Sequence, residues 1–523
     1  MTQKLFKTNY FYLILVSLYA GYINWVSGNI GVMPIDTFGF FDTGFSILKD
    51  KFPIRDFWIF TGITVDYLQA FFFIIFGKEW SSYIIHASII NIIASLSFFL
   101  FLDNFKINKA YQFIFSISFA TLCYPVSGTP FAYLHSFVFS LILIFTFCSA
   151  IINDNKFLWF LIPTISLFAF FSMQTPSFYI ITIIIFFILF FLLKEKKTSR
   201  FKYLILGTFF ALILIFIFFI STKTPLKNFI YQYFLFPLTI GSDRLTSEST
   251  AYVSLLDQLN LQRIIGDFKF IHIFLIPLIL FTFLRKNILD NKQILVNIVF
   301  ITCAIIFIFN QLITANQIYI FSLIPILGSI LLVNLQKEKN FKTLSLILIT
   351  ILALSTYKFH IRYNLEKKFH DLENVDKKQS IKAEVIDDKL KYLNWVSPVF
   401  ESPQEEVDLI KTAISVISND SRKKIVITHY QFLSLVLDED LNILNRWYLW
   451  DNNTHPTENH KYFDFYKKFT TKNFEQNEIS VIYLLGSDDE IPFSKIKNYF
   501  IDKCFKNITI IDKRFSVHEL KKC

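Results

Sequence analysis

The sequence predicts a mainly α-helical, polytopic membrane protein with a small α/β domain at its carboxyl end. Of its 523 residues, 54% are hydrophobic and 19% aromatic, and the mean hydropathy of +0.47 is typical of the membrane class. The apolar residues before position 360 form runs near the ~20 residues that cross a bilayer. The rest of the chain is polar, with short apolar runs that alternate with a helical pattern.

About eleven apolar runs are long enough to predict membrane-spanning helices. The first run follows basic residues and resembles a signal peptide, but Asn24 and Trp25 stand where small cleavage-site residues belong, so we predict a retained helix. The predicted spans lie near 10–27, 82–102, 111–126, 131–152, 157–173, 177–193, 203–221, 268–284, 294–310, 317–334 and 343–357.

Lysines and arginines predict how these spans are oriented. They cluster after even-numbered spans, as in KEKKTSRFK at 194–202, and cytoplasmic loops carry such an excess. The amino terminus is therefore predicted to be cytoplasmic and the tail periplasmic. The formal charge of +10 lies mostly in these loops, so we expect a lipid bilayer and no nucleic acid as partner. The abundance of Lys, Ile, Asn and Phe favours the inner membrane of a bacterium.

Two long external loops interrupt the predicted membrane domain, 1–360. The first loop covers 28–81 and the second 222–267. The run 57–77 is apolar, yet crossing the bilayer would place Asp66 at its centre at a cost of roughly 2.5–3.5 kcal/mol and would invert every later loop. We therefore predict an interfacial or re-entrant helix there.

The tail, 361–523, predicts a periplasmic α/β domain. Apolar runs at 424–430, 479–485 and 508–512 predict strands, and 405–418 has helical spacing. The charged run 363–391 predicts a solvated helix between membrane and tail. Cys504 and Cys523 flank the last segment and would form a disulfide in an oxidising compartment.

Carboxylates gather in the first loop, at the face of the membrane where a lipid-linked substrate would present its headgroup. A carboxylate in this place would act as a general base on an acceptor hydroxyl group. Helix capping or pairing with lysines is the structural alternative for such residues. The carboxylates gathered there are Asp36, Asp42, Asp50, Asp56 and Asp66, and the structural alternative applies above all to Asp42, Asp50 and Asp66.

Three features of the first loop occur together: Asp36, the amphipathic segment that ends in SILK, and the run FPIRDFWIFTGITVDYLQAFFFIIFG. Together they resemble the first periplasmic loop of GT-C glycosyltransferases. This superfamily includes protein O-mannosyltransferases and aminoarabinose transferases. The resemblance implies a glycosyltransferase that moves a sugar from a polyprenyl-phosphate donor to a lipid, glycan or protein acceptor. It assigns the essential carboxylate to Asp36, with Asp42 and Asp56 as secondary candidates. Thr37 stands where the family often has a second acidic residue. Whether a divalent cation takes part therefore stays open, and no other cofactor is expected.

A phosphate leaving group needs cations aimed at its developing charge. Arginine binds phosphate oxygens in a fork, so the candidates for donor binding are Arg55, Arg244 and Arg263. Gln174, in an outer turn, is a further candidate. Snorkelling toward lipid headgroups is the alternative for the arginines, and helix capping is the alternative for the glutamine.

Three further residues are candidates for lining a substrate cavity. His135 lies at the outer end of the fourth predicted span, where a structural hydrogen bond is the alternative. Trp447 and Trp450, beside Arg446, are typical of surfaces on which sugar rings stack, but an α/β core also needs aromatic residues. No metal-binding or nucleophile motif is present.

Proteins with other functions would show different sequence features. A transporter or flippase would carry ionisable residues inside its spans and short, interrupted helices in paired halves. An O-antigen polymerase or ligase would have its large loop later in the chain. A non-catalytic membrane scaffold would use the Asp36 loop for structure alone.

Overall fold

The computed structural model describes residues 2–246, 259–314, 320–499 and 503–522. The chain divides into two compact units. The helical unit contains Met1–Gly28, Ile84–Ile217 and Tyr252–Phe369. The mixed unit contains Asn29–Tyr83, Phe218–Ala251 and His370–Cys523. Both long loops therefore belong largely with the tail, although long helical segments separate them from it in the sequence.

The helical unit is built from long apolar helices, and most of them are apolar on every side, which is typical of segments buried in protein or lipid. Its helices are Thr2–Gly28, Trp80–Asp103, Lys109–Leu122, Ala132–Asn153, Lys156–Ser172, Ser177–Lys194, Phe201–Thr222, Leu261–Gly266, Lys269–Leu284, Asn291–Ile313, Leu323–Leu335 and Phe341–Phe359. Trp80–Asp103 and Phe201–Thr222 continue into the mixed unit.

Among the described residues, seven helices are long and apolar enough to cross a membrane, and they indicate a multi-pass membrane protein. The other four predicted spans coincide with helices of 13 to 17 residues. A helix of 17 residues is about 25 Å long, shorter than the roughly 30 Å hydrocarbon core. The count of about eleven spans therefore stays a prediction.

The mixed unit contains a four-stranded sheet and a two-stranded pairing. The small pairing joins β1 (Ile381–Lys382) and β2 (Asn394–Trp395), which run antiparallel. The large sheet has the order β3-β4-β6-β5. Its strands are β3 (Lys424–Thr428), β4 (Val481–Leu485), β5 (Lys503–Asp512) and β6 (Phe515–Lys522).

In this sheet, β3 and β4 are parallel, whereas β6 is antiparallel to both of its neighbours. Every residue of β3 and β4 is buried, as expected for parallel strands that are covered on both faces. Their continuous apolar runs led to the correct prediction of both strands. β6 was not predicted, because its sequence is mostly polar.

Nine helices of the mixed unit are described: Pro34–Thr37, Gly39–Ile47, Thr64–Phe76, Leu226–Phe229, Phe236–Thr246, Pro403–Ser418, Leu433–Leu437, Phe463–Gln476 and Phe493–Ile496. The predicted helix at 405–418 is confirmed. Pro403 begins it, and Glu405 and Glu406 lie in its first turn, where proline and acidic residues favour helix initiation.

Two other local predictions have different outcomes. In the run 57–77, only Thr64–Phe76 is helical. The helix ends at Gly77, which has a φ of 95°, a conformation that glycine adopts at low cost. The predicted solvated helix at 363–391 is wrong. After the π-helical turn His360–Leu365, that run forms short 3₁₀ turns and β1, because its polar residues bond to nearby backbone groups instead of continuing a helix.

Backbone hydrogen bonds join the first loop to the tail within the mixed unit. The Trp58 amide donates to the Leu444 carbonyl oxygen at 2.7 Å, and the Arg446 amide donates to the Trp58 carbonyl oxygen at 3.2 Å. Around this junction a buried cluster contains Trp58, Phe236, Ile240, Tyr466, Phe469 and Tyr499. All three segments of the unit contribute to it, so they share one hydrophobic core.

Candidate functional site

Asp36 lies in the helical turn Pro34–Thr37 of the mixed unit, a few residues after the first long helix ends. Pro34 begins the turn, and its fixed φ suits the first helical position. The Thr37 hydroxyl accepts a hydrogen bond from the Met33 amide at 3.1 Å, and the Thr37 carbonyl accepts one from the Tyr83 hydroxyl at 2.7 Å. Thr37 therefore holds the turn that presents Asp36.

The carboxyl group of Asp36 has properties suited to a general base. The side chain is partly exposed, yet the surrounding protein removes much of its water. This burial, together with the negative charge of Asp371, raises the pKa of Asp36 to about 7. A base whose pKa lies near the working pH is unprotonated in a large fraction of the molecules and is still basic enough to accept a proton from the substrate.

Asp42 is a second carboxyl group with a raised pKa, in the helix Gly39–Ile47. The side chain is fully buried. Burial and the charge of Asp440 raise its pKa to about 7, while the Ser434 hydroxyl group acts in the opposite direction. Because no solvent reaches Asp42, it is less suited than Asp36 to meet a substrate.

Asp56 and Arg55 bind each other instead of facing a common open site. The Asp56 Oδ2 atom lies 2.7 Å from Arg55 Nη2 and accepts a further bond from the Phe52 amide at 2.7 Å. Arg55 also donates to the carbonyl oxygens of Thr222 at 2.8 Å and Asp50 at 2.6 Å. Its guanidinium group therefore joins two segments of the mixed unit.

Asp66 forms a buried ion pair with Arg446. The Arg446 Nη2 atom lies 2.5 Å from the Asp66 Oδ2 atom, and both side chains are fully buried. The Thr43 hydroxyl group donates to the other carboxylate oxygen at 2.5 Å. The Arg446 guanidinium also lies 4.6 Å from the centre of the Phe40 ring. Arg446, expected beside a sugar-stacking surface, is instead an interior partner of the first loop.

A cleft of about 500 Å³ lies next to the residues that precede Asp36 in the same unit. Met33, Pro34 and Ile35 form one wall. Asp36 follows Ile35 directly in the chain but is not itself one of the residues that line the cleft. The opposite wall contains residues that follow β3 and β4, so the cleft lies at the carboxyl ends of parallel strands, a common place for ligands in α/β sheets.

The two tryptophans of the tail differ in position. Trp450 is partly buried and lines the cleft, and its indole N–H donates to the Glu490 carbonyl oxygen at 2.8 Å. Trp447 is buried against Phe40 and Phe60, with ring centres 5.3 and 5.5 Å away. The structure therefore brings one of the two candidate indoles to the cleft.

In the helical unit, His135 belongs to a buried polar group. Its Nε2 atom lies 3.0 Å from Nε2 of His86, and its Nδ1 atom lies 2.6 Å from the Tyr124 hydroxyl oxygen. Lys367, which the sequence analysis missed, is also buried. Its ammonium group donates to the carbonyl oxygens of Ser27 at 3.0 Å and Ser127 at 2.9 Å, and so joins the ends of distant segments.

The remaining predicted residues are dispersed. Gln174 lies half-buried in the turn before Ser177–Lys194, and its carbonyl oxygen accepts a bond from the Phe178 amide. Arg263 pairs with Asp267 at 3.4 Å. The side chains of Arg244 and Cys504 and all of Cys523 lie outside the described residues.

Two residues of the candidate site were missed by sequence reasoning. Asp371 lies in the charged run 363–391, and nothing local indicates that its charge acts on Asp36. His429 lines the cleft directly after β3. Its position after a buried strand was the available signal, since the carboxyl ends of parallel strands meet at one edge of a sheet.

Metal ligation and similarity to known proteins add no further group to this site. Within the described ranges, no group of three or more His, Cys, Asp or Glu side chains could hold a metal ion. No known protein-family model matches the chain, and no curated protein matches it.

Proposed function

We propose that this protein is a membrane glycosyltransferase in which Asp36 acts as the general base. The observation that carries the proposal is the carboxyl group of Asp36, with a pKa raised to about 7, directly after Met33, Pro34 and Ile35, which line a cleft of about 500 Å³. A cleft of this size suits an acceptor whose hydroxyl group the base would activate. The resemblance of the loop to GT-C enzymes supports the same role.

The proposed reaction transfers the sugar from a polyprenyl-phosphate donor. The acceptor oxygen forms a bond to the anomeric carbon of the sugar, and the bond from that carbon to the phosphate oxygen breaks. The acceptor proton moves to the Asp36 carboxylate, and the bonding electrons leave with polyprenyl phosphate. Asp36 must therefore be ionised before each transfer, and it returns its proton to solvent afterwards.

The proposed donor suits a protein that lies in a membrane. A donor anchored in the bilayer needs an enzyme that is itself in the membrane, and the apolar helices supply that environment. Reaction at the periplasmic face of a bacterial inner membrane follows from the distribution of basic loops. The acceptor would be a glycan, lipid or protein. The phosphate-binding roles of Arg244, Arg263 and Gln174 stay predictions. The role predicted for Arg55 competes with a structural one, because its guanidinium group already contacts Asp56, Thr222 and Asp50.

The test uses the purified full-length protein in lipid nanodiscs with a polyprenyl-phosphate sugar. We expect polyprenyl phosphate to be released only when an acceptor is present, and Asp36→Asn to lower the rate by about 10²–10⁴-fold, the usual contribution of a general base. Asp50→Asn changes an exposed carboxylate of the same loop and is the matched control, expected to keep normal activity.

Two results would overturn the proposal. Full transfer by Asp36→Asn, with the protein folded, would remove the assigned base. Movement of a lipid-linked sugar across sealed vesicles without cleavage of its phosphate bond would identify a transporter or flippase instead.

A further inference from the structure

The cleft beside Asp36 has walls of two kinds. Met33, Pro34 and Ile35 supply an apolar wall from the first loop. The other wall comes from loops that follow β3 and β4. The volume of the cleft, about 500 Å³, lies within the roughly 300–1,000 Å³ typical of small-molecule sites. The cleft can therefore enclose a ligand of a few rings.

Trp450 gives the second wall a fixed aromatic surface. Its indole N–H is held by the Glu490 carbonyl oxygen at 2.8 Å. Its ring stacks on Tyr499 and Tyr448, with centres 5.6 and 6.5 Å apart, and meets His455 edge-on at 5.1 Å. The side chain is nevertheless only partly buried, and it lines the cleft. A ring held in this way loses little side-chain entropy when a ligand binds. The electron-rich face of an indole suits the polarised C–H groups on one side of a sugar ring.

His429 adds a hydrogen-bond acceptor to the cleft. Its Nε2 atom lies 3.0 Å from the Tyr448 carbonyl oxygen, and a carbonyl can only accept, so Nε2 carries the proton. Burial lowers the pKa of His429 and keeps the ring neutral, which leaves Nδ1 as an acceptor. Among the described residues, none forms a hydrogen bond with Nδ1. A ligand hydroxyl group can therefore donate to it.

The charged side chains that line the cleft are predominantly acidic. Asp451, Asp489 and Glu490 line it together with Lys495. The Glu490 carboxylate also pairs with Arg514 at 3.4 Å, so Asp451 and Asp489 carry most of the negative charge. Carboxylates accept hydrogen bonds from hydroxyl and amino groups and repel anions. This lining disfavours phosphates, nucleotides and uronic acids and favours ligands that are neutral or positively charged.

From these four features we propose that the cleft binds a neutral or amino-bearing saccharide, with one ring stacked on Trp450 and a hydroxyl group donating to His429. The binding site stands on its own geometry, but its role as the acceptor site rests on the proposed transferase function. A bound ring would then lie next to Met33, Pro34 and Ile35, the residues that directly precede the proposed general base.

The test measures saccharide binding to the purified full-length protein by calorimetry and tryptophan fluorescence at low ionic strength. The probes are three trisaccharides of equal length: chitotriose, which is neutral, its deacetylated form, which is cationic, and trigalacturonate, which is anionic. We expect the neutral or the cationic trimer to bind at least about tenfold more tightly than the anionic one, because of the acidic lining.

Variants separate the contribution of the aromatic surface from that of the acidic lining. Trp450→Ala should weaken binding of the favoured trimer by about tenfold or more, whereas Trp450→Phe, which keeps an aromatic face, should retain most of it. Asp489→Lys, at an exposed position of the turn, should weaken the cationic trimer by about tenfold with little effect on the neutral one. Tyr392→Ala, which removes an exposed aromatic residue of the same unit, is the control and should bind normally.

The proposal is overturned if the anionic trimer binds as tightly as the others, if no trimer binds with a Kd below about 10 mM, or if Trp450→Ala and Asp489→Lys both bind like the unchanged protein. Asp36→Asn should keep normal binding. Binding that persists in this variant without any transfer by the unchanged protein would remove the transferase function and leave the saccharide site intact.

Discussion

Asp66 and Arg446 form a fully buried ion pair with a separation of 2.5 Å, although 380 positions separate them in the sequence. Asp66 comes from the helix Thr64–Phe76 of the first loop, and Arg446 comes from the segment between β3 and β4. The Thr43 hydroxyl group donates a further hydrogen bond to the Asp66 carboxylate. The pair therefore links the loop that carries Asp36 to the α/β tail in one unit.

Loss of one partner of this pair should be more harmful than loss of both. Arg446→Met leaves a buried, unpaired carboxylate and should lower the free energy of unfolding by about 3–5 kcal/mol. The double variant Arg446→Met/Asp66→Leu should lose less than Arg446→Met alone, because no charge stays buried. Thermal unfolding of the single and double variants measures this coupling.

An exposed ion pair of the same unit is the control for this measurement. Lys78 lies 3.2 Å from Asp438, and both side chains are substantially exposed. Lys78→Met should change stability by at most about 1 kcal/mol, as is usual for surface pairs. Additive losses in the Arg446 and Asp66 variants would contradict a coupled buried pair.

Asp371 should contribute, after burial, to the pH at which Asp36 becomes active. Transfer requires the ionised carboxylate, so the rate should rise with pH and level off above the Asp36 pKa of about 7. The charge of Asp371 raises that pKa, so Asp371→Asn should move the rising limb to lower pH by about half a unit, as expected for an exposed charge. Glu384→Gln, at another exposed acid of the tail, should leave the profile in place. A shift to higher pH would contradict the assignment.

Asp42 should make the protein less stable as the pH rises. Its pKa is about 7 in the folded protein and near 3.9 when unfolded. The folded state therefore binds the proton more tightly, and the stability that this gives at acidic pH is lost between about pH 4 and 7. Asp42→Asn should be more stable than the unchanged protein at pH 8, by up to about 4 kcal/mol, and similar at pH 4. Equal melting temperatures at pH 8 would contradict a buried carboxyl group.

Arg55 should act mainly as a structural group. Its guanidinium contacts the Asp56 carboxylate and the carbonyl oxygens of Thr222 and Asp50, and lysine cannot reproduce this fork. Arg55→Lys should lower stability by about 1–3 kcal/mol and leave the KM for the donor within about twofold. A tenfold rise in this KM without loss of stability would instead favour the predicted role in phosphate binding.

The orientation of the chain can be tested with fused reporters. A reporter placed after Lys202 should be cytoplasmic, because it follows the basic run KEKKTSRFK, and one placed after Lys391 should be periplasmic. A fluorescent protein that matures only in the cytoplasm and a phosphatase that works only outside it give opposite signals at each site. Two reporters on the same side would contradict the orientation.

The sequence alone was enough to predict the membrane class, the strands β3 and β4, and the helix Pro403–Ser418. Each of these depends on a local pattern: long apolar runs, short apolar runs that are buried on both faces, or apolar residues at helical spacing. Hydrophobic periodicity records burial directly, so it can be read without knowing any distant partner. The absence of such periodicity in 363–391 is also why the helix predicted there was wrong.

Only the tertiary structure decided which polar residues meet. It placed Asp371 where its charge acts on Asp36, Arg446 against Asp66, and Trp450 and His429 in one cleft, while it buried Trp447. Carboxylates and guanidinium groups carry no periodic signal, and their pKa values and partners depend on charges and burial supplied by distant segments. The candidate base could therefore be named from the sequence, but its environment followed from the packing of loop and tail.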